Sequence, residues 1–354
     1  MRYYDIVITP ARSSAFAGTF VSPLRYSTLF SNGRNNTQAL KIDVDIPQAW
    51  YYQPSGLGYV KIYGVSFEDL NQSANLNPDF TNDKYANIQI KIGMSKGLPF
   101  ANPEQQGLVI NGSILQAFGN WQGNLVTLDL VITNSQVSPS ATVNLSFNWK
   151  KDTFLGDAIK ETLQNAYPKK QTGLELVING SISSNLKATE NQTAQYTNLE
   201  SFSKYLNITS KDILKLQNYA GVSLTATPLG FYLYDGTTSQ EQTVQNKIIT
   251  VNFQDIIGNL TWLDLFTIQA KLTMRGDVQV GNQIIFPKKS PIVNTAASAL
   301  TQLRNNVSFN GQFQINKIRH VGSSRQTDGN SWVTVLDCVV LPNLPPSVTN
   351  PVKS

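Results

Sequence analysis

Cysteine and histidine are nearly absent from this chain of 354 residues, which contains one of each, Cys338 and His320. A single cysteine excludes an intramolecular disulfide and any cluster of cysteine ligands around a metal. A single histidine argues against catalytic triads, zinc sites and most acid–base mechanisms. The sequence therefore assigns no catalytic, cofactor-binding or metal-binding residue, and an enzyme of this sequence would have to rely on carboxylates or lysines.

Charge is also scarce. Charged residues make up 14% of the chain, and the net charge of +5 is spread without a basic run, which argues against a nucleic-acid binder. The chain is instead rich in asparagine and glutamine, whose uncharged side chains cost less to desolvate when a surface packs against other subunits. It has no apolar run of signal or membrane-spanning length, so we expect cytoplasmic assembly without stable membrane insertion.

Alternation of apolar and polar residues with period two predicts antiparallel strands along most of the chain. It is clearest in residues 40–46, 88–92, 126–132, 143–149 and 268–274. Similar alternation around Cys338 predicts a strand with a buried, inert thiol. These patterns imply at least two antiparallel sheets and a mainly β fold.

The period changes in the middle of the chain. Thr153 is a plausible N-cap for a helix that ends at Tyr167 and Pro168. A second helix is predicted from Asn198, a third from Ser210 with Asp212 in its first turn, and a short fourth over residues 295–303. The predicted organisation is a first β domain (1–150), a smaller α+β insert (151–225), a second β domain (226–341) and an extended, proline-rich C-terminal arm (342–354).

A weak internal repeat links the two β domains. Residues 111–114 and 123–129 resemble residues 310–313 and 329–337, and both copies read as strand, loop, strand. The seven-residue sequence of residues 108–114 also recurs at residues 176–182. This second recurrence can be explained as a common way of ending a strand in an Asn-Gly turn. Duplication of a β domain is therefore one of two open interpretations.

The C-terminal β region carries the most specific motifs. Gly276 and Asp277 begin a segment whose glycines, Gly276 and Gly281, suit turns with positive φ, and an apolar strand then ends at Pro287. Further along lie the segments Phe309-x-Gly311-x-Phe313, Arg319-His320-x-Gly322 and Trp332-x-Thr334. This order resembles the second tube-forming domain of the baseplate hub proteins of contractile-tailed bacteriophages. The resemblance is specific over residues 265–340 and topological before that.

The resemblance implies two related, barrel-like tube domains in each chain and a homotrimer that forms a pseudo-six-fold ring. It further implies a virion protein of the tail baseplate that joins the hexameric tail tube, or a tube initiator, to the trimeric central spike. Other baseplate proteins and the tape-measure protein are candidate partners, and DNA would cross the central channel only during genome ejection. No catalytic role is implied.

Three alternatives remain open at this stage. Arg319 and His320 can be ordinary hairpin residues and Trp332 a half-buried strand aromatic. A tail-associated peptidoglycan hydrolase would need a carboxylate pair, chosen from residues such as Glu104, Asp129, Asp152, Asp157, Glu161 and Asp255. Asp152 and Asp157 are more simply explained as support for the start of the helix after Thr153. A six-fold tube or tube-initiator protein would need only one β domain.

Overall fold

The computed structural model describes residues 2–10, 23–48, 56–78, 85–95, 103–133, 143–167, 177–215, 221–228, 230–235, 247–264, 267–287 and 312–340. The predicted helix over 295–303, the C-terminal arm and Gly311 lie outside these residues. The described fold is mainly β, with large antiparallel sheets and a few helices, as the sequence predicts.

Strands from the beginning and the end of the chain share one large sheet. The N-terminal strands are β1 (Arg2–Thr9), β2 (Leu24–Ser27), β3 (Lys41–Gln48), β4 (Leu57–Tyr63), β5 (Asn87–Met94), β6 (Gly107–Gln122) and β7 (Leu125–Thr133). The C-terminal strands are β13 (Ile248–Thr250), β14 (Thr261–Trp262), β15 (Thr267–Thr273), β16 (Gln283–Ile285), β17 (Gln312–Ser323) and β18 (Trp332–Val340). Two short helices, α1 (Phe67–Asn71) and α2 (Ser73–Leu76), lie between β4 and β5.

The two groups of strands have the same connectivity. The N-terminal group runs β3-β4-β7-β6-β5-β1-β2, and the C-terminal group runs β14-β15-β18-β17-β16-β13, so that β2 alone lacks a counterpart among the described strands. Matched in chain order, each strand of one group has the same neighbours as its counterpart in the other. One pair differs in direction, since β1 and β5 are antiparallel while the short β13 and β16 are parallel. The structure thus shows two related β modules in one chain. Among the described residues neither module closes into a barrel.

Matching β-bulges fix the correspondence residue by residue. In the first module the bulge lies between Ile114 and Gln116 of β6, opposite β7. In the second it lies between Ile315 and Lys317 of β17, opposite β18. Bulges of this kind re-aim a strand, and they mark equivalent positions here.

The repeat seen in the sequence therefore corresponds to the β6–β7 and β17–β18 hairpins. Its alignment was shifted by two residues, because Asp129 corresponds to Val335 rather than to Asp337. The Asn111-Gly112 pair is also not a turn, since it lies within β6 and pairs with β5.

In its described ranges, the middle segment forms two small sheets and two helices. Strands β8 (Leu145–Trp149) and β10 (Gln192–Tyr196) pair with each other, while β9 (Val177–Ser181), β11 (Ser223–Thr227) and β12 (Gly230–Tyr234) form a second sheet. Helix α3 spans Leu155–Ala166 and α4 spans Leu199–Leu214. Fully buried aromatic side chains, among them Trp149, Phe147 and Phe202, form the centre of this segment.

Two helix predictions need correction. The N-cap of α3 is Phe154 and not Thr153, whose hydroxyl donates to the carbonyl of Lys150 instead. The predicted third helix is the continuation of α4. Ser210 does not cap a new helix, because its hydroxyl donates to the carbonyl of Asn207 and accepts from the backbone N–H of Val222. The start of α4 at Asn198 is confirmed, since its side chain accepts from Ser201 N at 2.8 Å.

Buried apolar side chains of the described residues form three clusters, one in each β module and one in the middle segment. Residues such as Ile42, Ile62 and Leu128 in the first cluster are fully buried because alternate side chains of each strand point to the same face. Burial of one such side chain contributes about 1.5–3 kcal/mol. The domain boundaries drawn from the sequence stay a prediction.

Candidate functional site at the junction of the two modules

The two β modules join edge to edge. Strand β3 of the first module pairs antiparallel with the second half of β17, from Ile318 opposite Gln48 to Ser323 opposite Asp43. Beyond the last pair, Ser324 N donates to Ile42 O at 2.8 Å, and Ile42 N donates to Ser324 Oγ at 2.9 Å. The junction is therefore a continuous β-ladder and not a contact between loops.

Arg319 crosses this ladder. Its guanidinium binds both carboxylate oxygens of Asp45, with Nε–Oδ1 and Nη2–Oδ2 distances of 2.8 and 2.6 Å. The ion pair raises the pKa of Arg319, by hydrogen bonding first and charge attraction second. Both side chains are substantially exposed, so the pair helps to set the register more than it stabilises the fold.

His320, next in the strand, is fully buried at the same junction. Its Nδ1 lies 3.0 Å from Thr334 Oγ1, and the same hydroxyl accepts from the backbone N–H of Arg275 at 2.9 Å. Burial lowers the pKa of His320 to about 3, and attraction from Asp277 offsets this only in part. The imidazole is therefore neutral at physiological pH, and it fills a structural position.

Trp332 is buried, not half-buried as expected from the sequence. Although it lies on β18 of the second module, it packs in the apolar cluster of the first module together with Met274. Its indole Nε1 donates to the carbonyl of Gly93 on β5 at 3.0 Å. Gly322 lies opposite Trp332, and a Cβ there would lie 2.4 Å from Ser331 O, so the close strand approach requires glycine.

Backbone contact closes the other side of the junction. A Cβ on Gly276 would lie 2.3 Å from Ile92 O, and one on Gly107 would lie 2.0 Å from Gly276 O. Gly276 N donates to Gln105 O at 2.8 Å. Gly276 is thus required for close approach and not for a positive φ, while Gly281 does adopt φ +91° as the sequence predicts.

A buried charge cluster lies beside these glycines. Arg275 Nε and Nη2 bind the two oxygens of Asp277 at 3.0 and 2.8 Å, and Nη1 lies 4.0 Å from Asp255 Oδ2. Gln105, from the first module, donates to Asp255 at 3.3 Å, and Lys247 lies 3.4 Å from Asp277. The cluster lines a cleft of about 270 Å³ between the modules. Its carboxylates neutralise Arg275, which explains how the cation is tolerated in a buried position.

The junction collects most of the residues singled out from the sequence: Gly276, Asp277, Arg319, His320, Gly322, Trp332 and Thr334. Others lie in the second module, where Phe313 packs edge-on against Phe286, Pro287 follows β16, and Gly281 approaches the ring of Tyr232. Sequence reasoning missed Arg275, Gln105 and Gly107. The only available signal was the Arg-Gly-Asp order at 275–277, because the other partners lie far away in sequence.

Of the carboxylates considered for hydrolysis, Glu104 and Asp255 line the cleft between the modules, and Asp129 has a hydrogen-bonded environment of its own. Asp129 accepts hydrogen bonds from Tyr59, Asn120 and Thr127 and pairs with Lys61 at 3.1 Å. Burial acts to raise the pKa of Asp129, but these hydrogen bonds together lower it, which does not suit a general acid. Asp157 lies in the first turn of α3, as predicted, whereas Asp152 precedes the helix with φ +61°.

Within the described ranges, no three His, Cys, Asp or Glu side chains are grouped so that they could hold a metal ion. No helix in that part of the chain is long and apolar enough to cross a membrane.

Comparison with known proteins gives structural likenesses only. No family model and no curated protein matches the sequence. Among solved structures, the fold is similar to the 43 kDa tail protein of prophage MuSo2 from Shewanella oneidensis, with 8% identity, TM-score 0.45, and coverage of 95% of this chain and 97% of that one. It is also similar to the tail protein from Neisseria meningitidis MC58, with 12% identity, TM-score 0.46, and coverage of 95% and 96%. A third likeness is to prophage tail protein gp18 from Listeria monocytogenes EGD-e, with 7% identity, TM-score 0.36, and coverage of 94% of both chains.

Proposed function

We propose that this chain is the structural hub of a contractile phage tail baseplate, a ring-forming protein that connects the tail tube to the central spike. One observation carries the proposal: two β modules of the same connectivity lie in one chain and are joined edge to edge by β3 and β17. Most of the motif residues of the segment 265–340, which resembles hub proteins, lie at that junction.

The junction is head-to-tail. The edge that the first module offers is β3, whereas the edge that the second module offers is β17, the counterpart of β6 and not of β3. Contacts between unlike edges can repeat, and they close into a ring when the rotation permits. A ring of three such chains would contain six similar modules.

Such a ring would reconcile two symmetries. One face, built from six similar modules, would match a six-fold tail tube or tube initiator. The other face would keep three-fold symmetry because the middle segment occurs once in each chain, and it would receive a trimeric spike. Each of the three chains would contribute eight neighbouring strands to the ring, from β14 at one end of the run to β6 at the other. At about 4.8 Å per strand, the ring would have a circumference of roughly 115 Å and a channel that a DNA duplex can cross during ejection.

The duplication also bears on the alternative of a six-fold tube protein. A tube subunit needs one module, and this chain carries two. A hydrolase would need a carboxylate free to donate a proton, whereas Asp129 and Asp255 are held by hydrogen bonds and cationic partners. We therefore propose a non-enzymatic role in the virion, with self-association and with the tube and spike proteins as partners.

The test is the mass and symmetry of the purified chain, alone and with its spike protein. A trimer by native mass measurement, with six similar densities around the channel in averaged electron micrographs, is the expected result. A chain that stays monomeric at high concentration both with and without the spike protein would contradict the proposal, and six copies in the ring would favour a tube protein. Absence of peptidoglycan clearing in a zymogram is expected.

A further inference from the structure

The junction within the chain has an unfilled counterpart. In the second module, the half of β17 beyond its bulge is covered by β3. In the first module, the equivalent half of β6 pairs with β7 on one side, and among the described residues no strand pairs with its other side beyond Ser113. The counterpart of β3 is β14, which ends the sheet and pairs with β15 alone as far as the described ranges go. The two modules thus leave one edge of each kind open.

The open edge of β6 is exposed and apolar. Residues 119–122 are all exposed, whereas their counterparts in the covered half of β17, residues 320–323, are buried or half-buried; Phe118 and its counterpart Arg319 are both exposed. Phe118 is 50% exposed and Trp121 is 65% exposed, and the Trp121 ring lies edge-on to the exposed Phe67. Unprotected edges of this kind pair readily with other chains.

The direction of the backbone groups suits a further strand. The side-chain amide of Asn77 donates to Ala117 O at 3.1 Å and accepts from Ala117 N at 2.8 Å, so these groups point away from β7. Because backbone groups alternate along a strand, those of Gly119 and Trp121 point the same way. Asn77 therefore occupies the ladder at Ala117 and leaves the following positions to a partner.

The register of that partner follows from the junction already present. The bulges equate Gln116 with Lys317, and so Phe118 with Arg319 and Gly119 with His320. In the first module, Asp45 of β3 is connected through β4 to Val131 of β7, and in the second module Thr261 of β14 is connected through β15 to Asp337 of β18. Val131 and Asp337 are equivalent, since they lie opposite Gln116 and Lys317. Asp45 therefore corresponds to Thr261, and Pro47, two positions further on, corresponds to Leu263. Since Arg319 lies opposite Pro47, the same geometry puts Phe118 opposite Leu263. Leu263 is 51% exposed, so two exposed apolar side chains would cover each other.

We infer that β14 of one copy of this chain, extended through Leu263, pairs antiparallel with the end of β6 of a second copy, in the register of the β3–β17 junction. The inference rests on the proposed ring and names the contact that closes it. Each copy offers both edges, so the contact is again head-to-tail. The two edges cannot satisfy each other within one chain, because seven strand spacings, roughly 34 Å along the sheet, separate them.

A disulfide tests this register. Residues 118 and 263 would form a pair without direct backbone hydrogen bonds, whose Cα atoms lie about 4.5 Å apart, close enough for a disulfide. Oxidation of the full-length variant F118C/L263C should yield a covalent species of three chains on a non-reducing gel. Cys338 stays in place because it is buried, and burial raises the pKa of its thiol. The control is L57C/L263C, since Leu57 is equally exposed (53%) but lies on the interior strand β4, and it should remain uncrosslinked.

The outcomes separate the contact from the proposed function. A covalent trimer with an uncrosslinked control supports the contact and the proposed trimeric hub. A largest crosslinked species with a number of chains other than three supports the contact but contradicts the trimer. A native trimer that forms no crosslink, while both cysteines react with a maleimide, overturns the pairing and leaves the hub proposal intact. A monomer overturns both.

A backbone substitution gives a second readout. W121P should weaken self-association more than W121A, because proline removes an outward N–H and alanine keeps it. Both variants should still fold, which is checked by comparing the urea midpoints of their dissociated single chains with each other. Equal effects of the two would overturn backbone pairing.

Discussion

The indole Nε1 of Trp332 donates a hydrogen bond to the carbonyl of Gly93, 3.0 Å away, across 239 positions of the sequence. The two residues belong to different β modules, and the tryptophan ring packs in the apolar cluster of the module that contains Gly93. The second module thus completes the core of the first. The modules should therefore unfold together and not one after the other.

Replacing Trp332 by phenylalanine separates the hydrogen bond from the burial. W332F keeps an aromatic ring but leaves the Gly93 carbonyl without its donor, and we expect a loss of about 1–3 kcal/mol in the free energy of unfolding. W332A should cost about 3–5 kcal/mol because it also leaves a cavity. Urea denaturation followed by far-UV circular dichroism measures both. Loss of less than a few tenths of a kcal/mol in W332A would show that the ring does not join the modules.

Two glycines of the second module provide a matched comparison. A Cβ at Gly276 would meet Ile92 O at 2.3 Å and Gly107 N at 2.7 Å, whereas a Cβ at Gly329 meets nothing within 4 Å. We expect G276A to destabilise the fold by about 1–3 kcal/mol through forced backbone shifts. G329A should be neutral or stabilise by up to about 1 kcal/mol, since it lowers the entropy of the unfolded chain. Thermal unfolding of both variants decides this, and equal midpoints would contradict the close approach.

Two arginines at the junction should differ sharply in their contribution to stability. Arg275 is buried between Asp277 and Asp255, while Arg319 and its partner Asp45 are substantially exposed. R275M leaves buried carboxylates without a cation and should cost about 3–5 kcal/mol. R319M should cost about 0–1 kcal/mol, because exposed ion pairs gain little in water. Denaturant titrations of the two variants at low and high salt measure these losses. A larger loss of stability in R319M than in R275M would contradict the prediction.

Local patterns in the sequence predicted the strands well. Period-two alternation located β3, β5, β7 and β15, since their side chains face a core on one side. The helix starting at Asn198 was found because its cap is a local hydrogen bond. Ser210 was misread as a cap because its actual partner, Val222 N, comes from outside the helix.

The contacts that join the modules could not be read from the sequence. Strand β3 pairs with β17 across more than 270 positions, and period-two alternation says which face a strand buries but not which strand it pairs with. Gly107 and Gln105 carried no motif, and their roles follow from that pairing. Several motif residues from the segment that carries the resemblance, 265–340, lie at the junction, although the resemblance predicted neither the junction nor the open edges.

His320 makes stability depend on pH in a defined direction. Its pKa lies at about 3 in the folded chain, against an ordinary value of 6.5, because burial disfavours the charged imidazole. The unfolded chain therefore binds a proton below pH 6.5 that the folded chain does not bind. Stability is fully present above that pH and falls by about 1.4 kcal/mol per pH unit as the pH drops toward 3.

Between pH 7 and pH 5 the histidine is the main group to titrate, because unfolded carboxylates take up protons mostly below pH 5. We expect the wild-type chain to lose about 2 kcal/mol of unfolding free energy over this interval. H320Q cannot take up a proton, so it should lose much less over the same interval, even though its stability at pH 7 is lower. Urea titrations of both proteins at half-unit steps measure the two slopes. Parallel slopes would mean that His320 takes up its proton over this interval in the folded chain as it does in the unfolded chain, and the buried contact with Thr334 would then have to be drawn with a charged ring at pH 5.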